Sequence, residues 1–292
     1  MGKSAVAWSR WSSLDLDWHP SEAVFNETLS GGQAFRWRNE GDYWEGVWAS
    51  YSVRLRLTIK GVEWSAPKPS NHSRLAALKR YLSADIDFNE ITDALPWRSD
   101  SNLEQALKQW SGLRILRQPF GETLLCFLCS STKRIEQISE ICERMAVSHG
   151  ELIAGGRHRL PTWDEIYEAG ESALRGTGMG YRARYIWQTS AFLKTHSGWL
   201  EEVESLQYEH AKSRLVELPG VGEKIADCVL LFGAGKLEAF PVDTWILKTM
   251  AKLYDLEGWK PHQVAHFGRA HFGRFAGYAQ QVLFTEMRRR EG

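Results

Sequence analysis

The first stretch with a clear pattern, from Gln33 to Ala66, alternates apolar and polar residues with a period of two. It is rich in aromatic and β-branched residues, and turn-forming residues interrupt it at Asn39–Asp42 and Lys60-Gly61. Half-buried strands joined by short turns have this pattern, which therefore predicts an antiparallel meander. A helix is predicted from Asn71 to Ser83, because leucines recur along one face. Together these elements predict an N-terminal α+β domain spanning residues 1–97.

The rest of the chain, residues 98–292, places its apolar residues at a spacing of 3.6, which predicts helices. Prolines and glycines separate the apolar segments. Ten helices are predicted: Leu103–Trp110, Glu122–Ser130, Lys133–Ser148, Trp163–Ala169, Arg182–Thr195, Ser205–Glu217, Gly222–Phe232, Asp243–Tyr254, His262–Phe272 and Ala276–Arg289. The predicted fold class is α+β, with an N-terminal antiparallel β-sheet domain followed by an all-α body.

Residues 214–232 form the most informative stretch, because a Gly-rich turn joins two of the predicted helices. The turn, Pro219–Gly222, contains two glycines that are free to take a positive φ. At the start of a helix, such a turn points unpaired N–H groups and the positive end of the helix dipole at one place, which suits a phosphate. Downstream, Pro241-Val242-Asp243 opens another helix, with Asp243 either as its cap or as a first-turn carboxylate.

Composition and charge limit the classes of protein that fit. With 292 residues, 43% of them hydrophobic, the chain can bury a sizeable core. Its net charge of zero argues against a protein that coats nucleic acid non-specifically, so any nucleic-acid contact must be local. The one basic run, Arg288–Arg290, is expected to be a solvated tail. No stretch reaches the length of a membrane span and no targeting segment is seen, so we expect a soluble, intracellular protein.

The four cysteines, Cys126, Cys129, Cys142 and Cys228, do not make a disulfide framework for a chain of this size, and they fit a reducing compartment. Cys126 and Cys129 form a CxxC, but they lie in an apolar helical run without a second pair. We therefore predict that they are core residues. No cysteine follows Cys228, so a four-cysteine iron–sulfur cluster cannot be built after the hairpin.

Several segments of the chain resemble, in order, those of one enzyme family. Besides the hairpin and its following Pro-Val-Asp, they are SGGQAFRW (Ser30–Trp37), CSS (Cys129–Ser131), GYRARY (Gly180–Tyr185) and AGYAQQVLF (Ala276–Phe284). The sequence resembles the eukaryotic-type 8-oxoguanine DNA glycosylases of the helix-hairpin-helix/Gly-Pro-Asp superfamily over nearly its whole length. This resemblance implies that the hairpin faces a cleft between helical lobes, with the N-terminal sheet to one side.

The resemblance implies two catalytic residues, Lys224 and Asp243. In the family, a lysine at the start of the second hairpin helix is the nucleophile, and a downstream aspartate stands across from it. Lys224 would attack the deoxyribose and form a Schiff base, while the charge of Asp243 would stabilise the cationic sugar. A lysine attacks only in its neutral form, which the helix dipole and a partly dry cleft favour and Asp243 opposes. Taken alone, Lys224 would be a surface lysine and Asp243 only a helix cap.

Four further residues match the family's base-binding pocket: Gly32, Cys228, Gln280 and Phe284. The Gly32 carbonyl would accept the N7 hydrogen that only oxidised guanine carries, and Gln280 would bind the Watson–Crick edge. Cys228 and Phe284 would sandwich the base. Gln280 and Phe284 lie four residues apart on a helix, so both can face one pocket. Taken alone, Gly32 would be a turn residue, and Cys228 and Phe284 would be core.

The remaining matched residues concern the DNA backbone and the base opposite the lesion. The turn Gly220–Gly222 would contact a phosphate, and Tyr181 would wedge into the gap left by the flipped base. Arg182 and Thr132 would lie near the orphaned base. Relatives carry three Asn after CSS and an Arg three residues later, whereas Thr132 takes the first Asn position here and Gln137 that of the Arg. Since only Arg182 remains of the three residues that grip cytosine, we predict weak discrimination of the opposite base.

Two other departures replace polar family residues by apolar ones. Trp245 stands where the family has a His two residues after the catalytic Asp, and Met287 replaces an acidic residue three after the pocket Phe. A half-removed buried polar pair would be costly. The joint change therefore indicates a substituted packing arrangement.

The resemblance implies a bifunctional glycosylase and AP lyase that acts as a monomer on duplex DNA containing oxidised guanine. It requires no metal, redox or organic cofactor and no iron–sulfur cluster, and it allows a structural cation on the backbone carbonyls of Val216, Leu218 and Val221. Two alternatives stay open: a glycosylase for another damaged purine, and a DNA-binding module that retains the hairpin without catalysis. The presence of both Lys224 and Asp243 argues against the module.

Overall fold

The structure is a computed structural model that describes residues 6–69 and 72–291. A five-stranded antiparallel sheet lies in its N-terminal part, and its spatial order is β1-β5-β4-β3-β2. The strands are β1 (Ser12–Ser13), β2 (Trp37–Asn39), β3 (Trp44–Trp48), β4 (Tyr51–Thr58) and β5 (Gly61–Ser65). β2 to β5 confirm the predicted meander. β1 was not predicted, because two residues are too few to show a period.

The alternation along β4 explains how the sheet is covered on both faces. Val53 and Leu55 are fully buried against a cluster that includes Leu78, from the helix after the sheet. Arg54, on the opposite face, places its guanidinium 3.7 Å from the ring centroid of Trp8. Successive side chains of a strand point to opposite faces, so one face packs on the core while the other forms cation–π contacts with the N-terminal segment.

The predicted change from strands to helices is confirmed. The helices are α1 (Glu22–Ser30), α2 (His72–Tyr81), α3 (Phe88–Ala94), α4 (Ser101–Gln109), α5 (Phe120–Leu128), α6 (Ile135–His149), α7 (Trp163–Leu174), α8 (Arg182–Thr195), α9 (Trp199–Ser205), α10 (Tyr208–Leu215), α11 (Glu223–Phe232), α12 (Thr244–Tyr254), α13 (Pro261–Phe272) and α14 (Ala276–Glu291). A π-helical turn, Arg175–Met179, joins α7 to α8, and a 3-10 turn, Gly273–Phe275, joins α13 to α14.

Each helix predicted in the body corresponds to an observed one, within a few residues at either end. Asn71, where the helix after the sheet was predicted to start, lies outside the described residues. Three short helices, α1, α3 and α9, were not predicted. α3 and α9 contain 7 residues each, which is too short for a helical period to stand out.

Helix α11 lies in the middle of the body and carries the hairpin lysine. All residues from Ile225 to Phe232 are buried, because α5 and α10 pack against this helix. Only its first turn, with Glu223 and Lys224, reaches the surface. The helix is therefore a core element that presents its N-terminal end to solvent. Within the described ranges, no helix is both long and apolar enough to cross a membrane.

The expectation of a solvated basic tail is wrong. Glu27 of α1 is fully buried, and its carboxylate pairs with Arg288 at 2.5 Å and Arg289 at 3.0 Å. Arg290 pairs with Glu286, one turn earlier on α14. The fold brings α1 against the end of α14, so a contact across most of the chain turns this basic run into a structural element.

Candidate active site

The hairpin joins α10 to α11 through a turn at Pro219–Gly222. Gly220 has a φ of +79°, and a Cβ at this position would lie 2.8 Å from the ring of Tyr185. Both the backbone conformation and the close ring therefore require glycine here. Gly222 has a φ of −95°, so only one of the two glycines uses a positive φ. Gly222 is the N-cap of α11, and among the described residues no side chain caps this helix end.

Lys224 and Asp243 lie at the starts of α11 and α12, and their side chains line the same cavity. Lys224 is half-buried, with its Nζ atom 3.4 Å from Ser130 Oγ and 5.2 Å from the centroid of the Phe127 ring. Asp243 is the N-cap of α12, and its Oδ1 atom accepts a hydrogen bond of 2.8 Å from the N–H of Ile246. The sequence left open whether Asp243 is the N-cap of this helix or a carboxylate in its first turn, and the structure shows that it is the N-cap. Both side chains line one cavity, which allows an amine and a carboxylate to act on one substrate atom.

This cavity has a volume of about 50 Å³ and brings the proposed pocket residues together. Its lining consists of Gly32, Phe127, Lys224, Cys228, Phe232, Pro241, Asp243, Gln280, Gln281 and Phe284. The volume has room for a few ordered water molecules and is smaller than a purine base needs. A base therefore enters only when a lining side chain moves. Phe284, which is half-buried, also lines the larger cleft outside and stands at the boundary between the two.

Cys228 is buried, and the charged groups of Lys224 and Asp243 lie near its thiol. Burial raises the pKa of its thiol to about 12, although the nearby Lys224 amine opposes this shift. The thiol is therefore protonated and neutral at physiological pH. A neutral, polarizable sulfur can pack against the face of a base.

Gly32 is held by contacts that the sequence analysis did not identify. Its φ is +99°, and the next residue, Gln33, is fully buried. The Gln33 amide donates to Arg114 O at 2.8 Å and accepts from the Leu116 N–H at 2.9 Å. Glu27 adds a second anchor, because its backbone carbonyl accepts from the Gly31 N–H at 2.8 Å. In the sequence, polar residues close to a glycine pair are a signal that could have pointed to Gln33 and Glu27.

A larger cleft of about 870 Å³ opens beside the cavity and shares Gly32, Lys224 and Asp243 with it. The loop from Ser130 to Arg134, after the CSS segment, forms one wall. Trp245 also lines this cleft, whereas Met287 is buried. That these two apolar residues form a substituted packing arrangement stays a prediction. The cleft has the volume to accept more than one base.

Arg182 and Tyr181 lie beside this loop. The Arg182 guanidinium is buried and donates to Thr132 Oγ1 at 2.9 Å, to Met179 O at 3.1 Å and to Ser131 O. Tyr181 is 51% exposed, and the guanidinium lies 4.5 Å from its ring centroid. Arg182 therefore fixes the conformation of the loop in this structure, and its contact with an opposite base stays a prediction. That Tyr181 stacks in the gap left by a flipped base likewise stays a prediction.

All four cysteines are buried and form no disulfide, and the burial of Cys126 and Cys129 confirms that these two are core residues. The Sγ atoms of Cys126 and Cys142 lie 3.6 Å apart. Within residues 6–69 and 72–291, no group of three or more His, Cys, Asp or Glu side chains is arranged to hold a metal ion. A cation on the carbonyls of Val216, Leu218 and Val221 would use backbone oxygens, so it stays a prediction.

Comparisons with known proteins show which family the chain resembles. A family model described as 8-oxoguanine DNA glycosylase, N-terminal domain, matches residues 15–124. The N-glycosylase/DNA lyase OGG1 of Arabidopsis thaliana is 31% identical over 94% of this chain and 80% of that protein. The N-glycosylase/DNA lyase of Saccharomyces cerevisiae is 27% identical over 91% of this chain and 84% of that protein.

Solved structures of DNA glycosylases are also similar to this chain. The 8-oxoguanine glycosylase/lyase of Clostridium acetobutylicum, in complex with double-stranded DNA containing cytosine opposite 8-oxoguanine, has a TM-score of 0.87 at 27% identity. The alignment covers 98% of both chains. The 3-methyladenine DNA glycosylase of Archaeoglobus fulgidus, at 18% identity and a TM-score of 0.77, shares the fold. Because the similarity to the curated N-glycosylase/DNA lyases extends over nearly the whole chain, this protein belongs to the 8-oxoguanine DNA glycosylase/lyase family.

Proposed function

We propose that this protein excises 8-oxoguanine from duplex DNA and then nicks the strand, as a bifunctional glycosylase and AP lyase in base excision repair. The observation that carries the proposal is a single cavity lined by a lysine amine, a carboxylate and the residues matched to base recognition. The amine is that of Lys224 and the carboxylate that of Asp243. The alternative of a DNA-binding module without catalysis has no use for this pair.

The chemistry follows from the two side chains. As the bond between C1′ and the base breaks, its electrons leave with the base, and positive charge develops on the sugar. The carboxylate of Asp243 stabilises that charge, and the neutral amine of Lys224 forms a bond to C1′. The attached amine then loses a proton, and the C1′–O4′ bond breaks with its electrons going to O4′, which takes up a proton as the sugar ring opens. This leaves a Schiff base between Lys224 and C1′. Removal of a hydrogen from C2′ next expels the 3′ phosphate by β-elimination, which nicks the strand.

Recognition uses the opposite side of the cavity. The Gly32 carbonyl accepts the N7 hydrogen of 8-oxoguanine, which guanine lacks. Cys228 and Phe284 cover the two faces of the base, and the neutral thiol of Cys228 fits this role because it brings no charge to the ring. Gln280 binds the Watson–Crick edge. The turn at Gly220–Gly222, in which both glycines are exposed, contacts a phosphate near the lesion.

Borohydride trapping on an 8-oxoguanine duplex tests the function. Borohydride reduces the Schiff base and links the protein to DNA, so wild-type protein should become cross-linked and Lys224→Gln should not. Lys133→Gln is the matched control, because Lys133 is another amine that lines the larger cleft. Trapping that survives in Lys224→Gln and is lost in Lys133→Gln would show that Lys133, and not Lys224, is the nucleophile. Duplex binding without trapping by wild-type protein would support the non-catalytic module.

A panel of damaged purines separates the proposed substrate from the other alternative. Faster excision of another oxidised or alkylated purine would reassign the main substrate while keeping the chemistry. We also propose that the enzyme works as a monomer without a cofactor. Because its substrate is genomic DNA, we infer an intracellular location, in the nucleoid or the nucleus.

A further inference from the structure

Two neighbouring glutamines of α14 have unpaired atoms at the cavity. Gln280 and Gln281 are only 5% and 3% exposed, and both line the cavity with Lys224 and Asp243. The Nε2 atom of Gln280 donates to Pro241 O at 3.1 Å, whereas its Oε1 atom has no hydrogen-bond partner among the described residues. The Nε2 atom of Gln281 is likewise buried and unpartnered within the described part of the chain.

Such unpaired atoms are costly in a folded protein, and they occur where a ligand completes the hydrogen bonds. Here one is an acceptor and the other a donor. Gln281 lies three residues before Phe284 and Gln280 lies four before it, so each glutamine is a neighbour of Phe284 on the helix surface. A base that packs on Phe284 therefore meets both amides.

We propose that Gln281 is a second reader of the flipped base, and that its Nε2 atom donates to O6 of 8-oxoguanine. The inference rests on the proposed function. The edge of 8-oxoguanine presents O6 as an acceptor next to the N1–H and N2–H donors. Gln281 supplies the donor for O6, and Gln280 Oε1 accepts from the neighbouring N–H groups. With the Gly32 carbonyl at N7, the base is recognised on two of its edges.

The proposed hydrogen bond between Gln281 and O6 predicts which purines are rejected. 8-Oxoadenine has the same N7 hydrogen as 8-oxoguanine, so Gly32 does not distinguish the two. It carries an amino group at C6 in place of O6, which would point hydrogens at the Gln281 donor. A site built around a hydrogen bond rejects a base that cannot make it more strongly than an apolar site would. Gln281 therefore separates oxidised guanine from oxidised adenine.

Single-turnover excision of 8-oxoguanine and of 8-oxoadenine tests this role in Gln281→Met and Gln281→Glu. Methionine keeps the shape and removes the donor, so it should lower 8-oxoguanine excision by roughly tenfold to a hundredfold. It should have much less effect on 8-oxoadenine. Glutamate replaces the donor by an acceptor, so it should shift the ratio further toward 8-oxoadenine.

Strand cleavage at a preformed abasic site provides the internal control, because that step needs Lys224 but no base. It should stay within about twofold of wild type in both variants. The matched control variant is Thr189→Val on α8, which also removes a buried hydroxyl that has no partner among the described residues but lies outside the cavity. It should leave the ratio of the two excision rates unchanged.

The outcomes separate the inference from the proposed function. An unchanged ratio in both Gln281 variants, or an equal loss of excision and abasic-site cleavage, would overturn the role of Gln281 while the function stands. Absence of 8-oxoguanine excision by wild-type protein would overturn both.

Discussion

Replacing Asp243 with Asn should separate the chemical role of this carboxylate from its structural role. Asn is as good an N-cap as Asp, so the 2.8 Å hydrogen bond from the Ile246 N–H should be kept. The helix loses one favourable charge at its N-terminus, which costs about 0.3–1 kcal/mol. The fold should therefore survive, and duplex binding should change little.

The loss in the chemical step should be much larger. A carboxylate about 4 Å from a unit positive charge stabilises it by about 4 kcal/mol at an effective dielectric constant of about 20. That charge is present on the sugar only near the transition state. Since each 1.4 kcal/mol or so is a factor of ten in rate, excision should slow by about three powers of ten.

Single-turnover excision of 8-oxoguanine gives the rate of the chemical step, and thermal unfolding followed by circular dichroism gives the stability of the fold. Asp243→Ala is the comparison, because it removes the charge and the cap together. Both variants should lose activity to a similar extent, and only Ala should also lose about 1 kcal/mol of unfolding free energy. An Asn variant that folds and keeps more than about a tenth of the wild-type rate would refute the electrostatic role. Asn and Ala variants that are equally unstable would show that the carboxylate mainly serves as a cap.

Three further predictions concern the rest of the molecule. Excision opposite A, G or T should be appreciable beside excision opposite C, because two of the three family contacts to cytosine are absent; a strong cytosine preference that Arg182→Ala leaves unchanged in single-turnover assays would show that other residues read this base. Glu27→Ala should lower the unfolding free energy by about 2 kcal/mol, because the charged hydrogen bonds to Arg288 and Arg289 are lost, and urea denaturation measures the loss. Burial raises the pKa of Glu122 from about 4.5 to about 7, so between these pH values the folded state binds more protons than the unfolded state and stability falls as the pH rises. Glu122→Gln should remove this decline of up to about 3 kcal/mol when unfolding is measured at pH 5 and pH 8, and an unchanged pH dependence of stability would contradict the role of Glu122.

The fold was predictable where a pattern is long and the environment regular. The meander from Gln33 to Ala66 alternates over its whole length, and α8 ends where its apolar period ends. Short helices such as α3 were missed, because seven residues make only two turns. The expected tail at Arg288–Arg290 failed for another reason, since Glu27 lies about 260 residues away in sequence and no local pattern contains it. The domain division at residue 97 stays a prediction.

The sequence by itself determined most of the elements, their order and the chemical types present at the site, because turn chemistry and hydrophobic period are local properties. Resemblance to the family singled out Lys224 and Asp243, because taken alone each would be an ordinary residue at a helix start. Only the tertiary structure decided that these residues share one cavity, that Gln33 holds the Gly32 turn, and that Gln281 lies there with an unpaired donor. Burial and hydrogen bonding depend on which helices meet, and contacts between distant segments settle that.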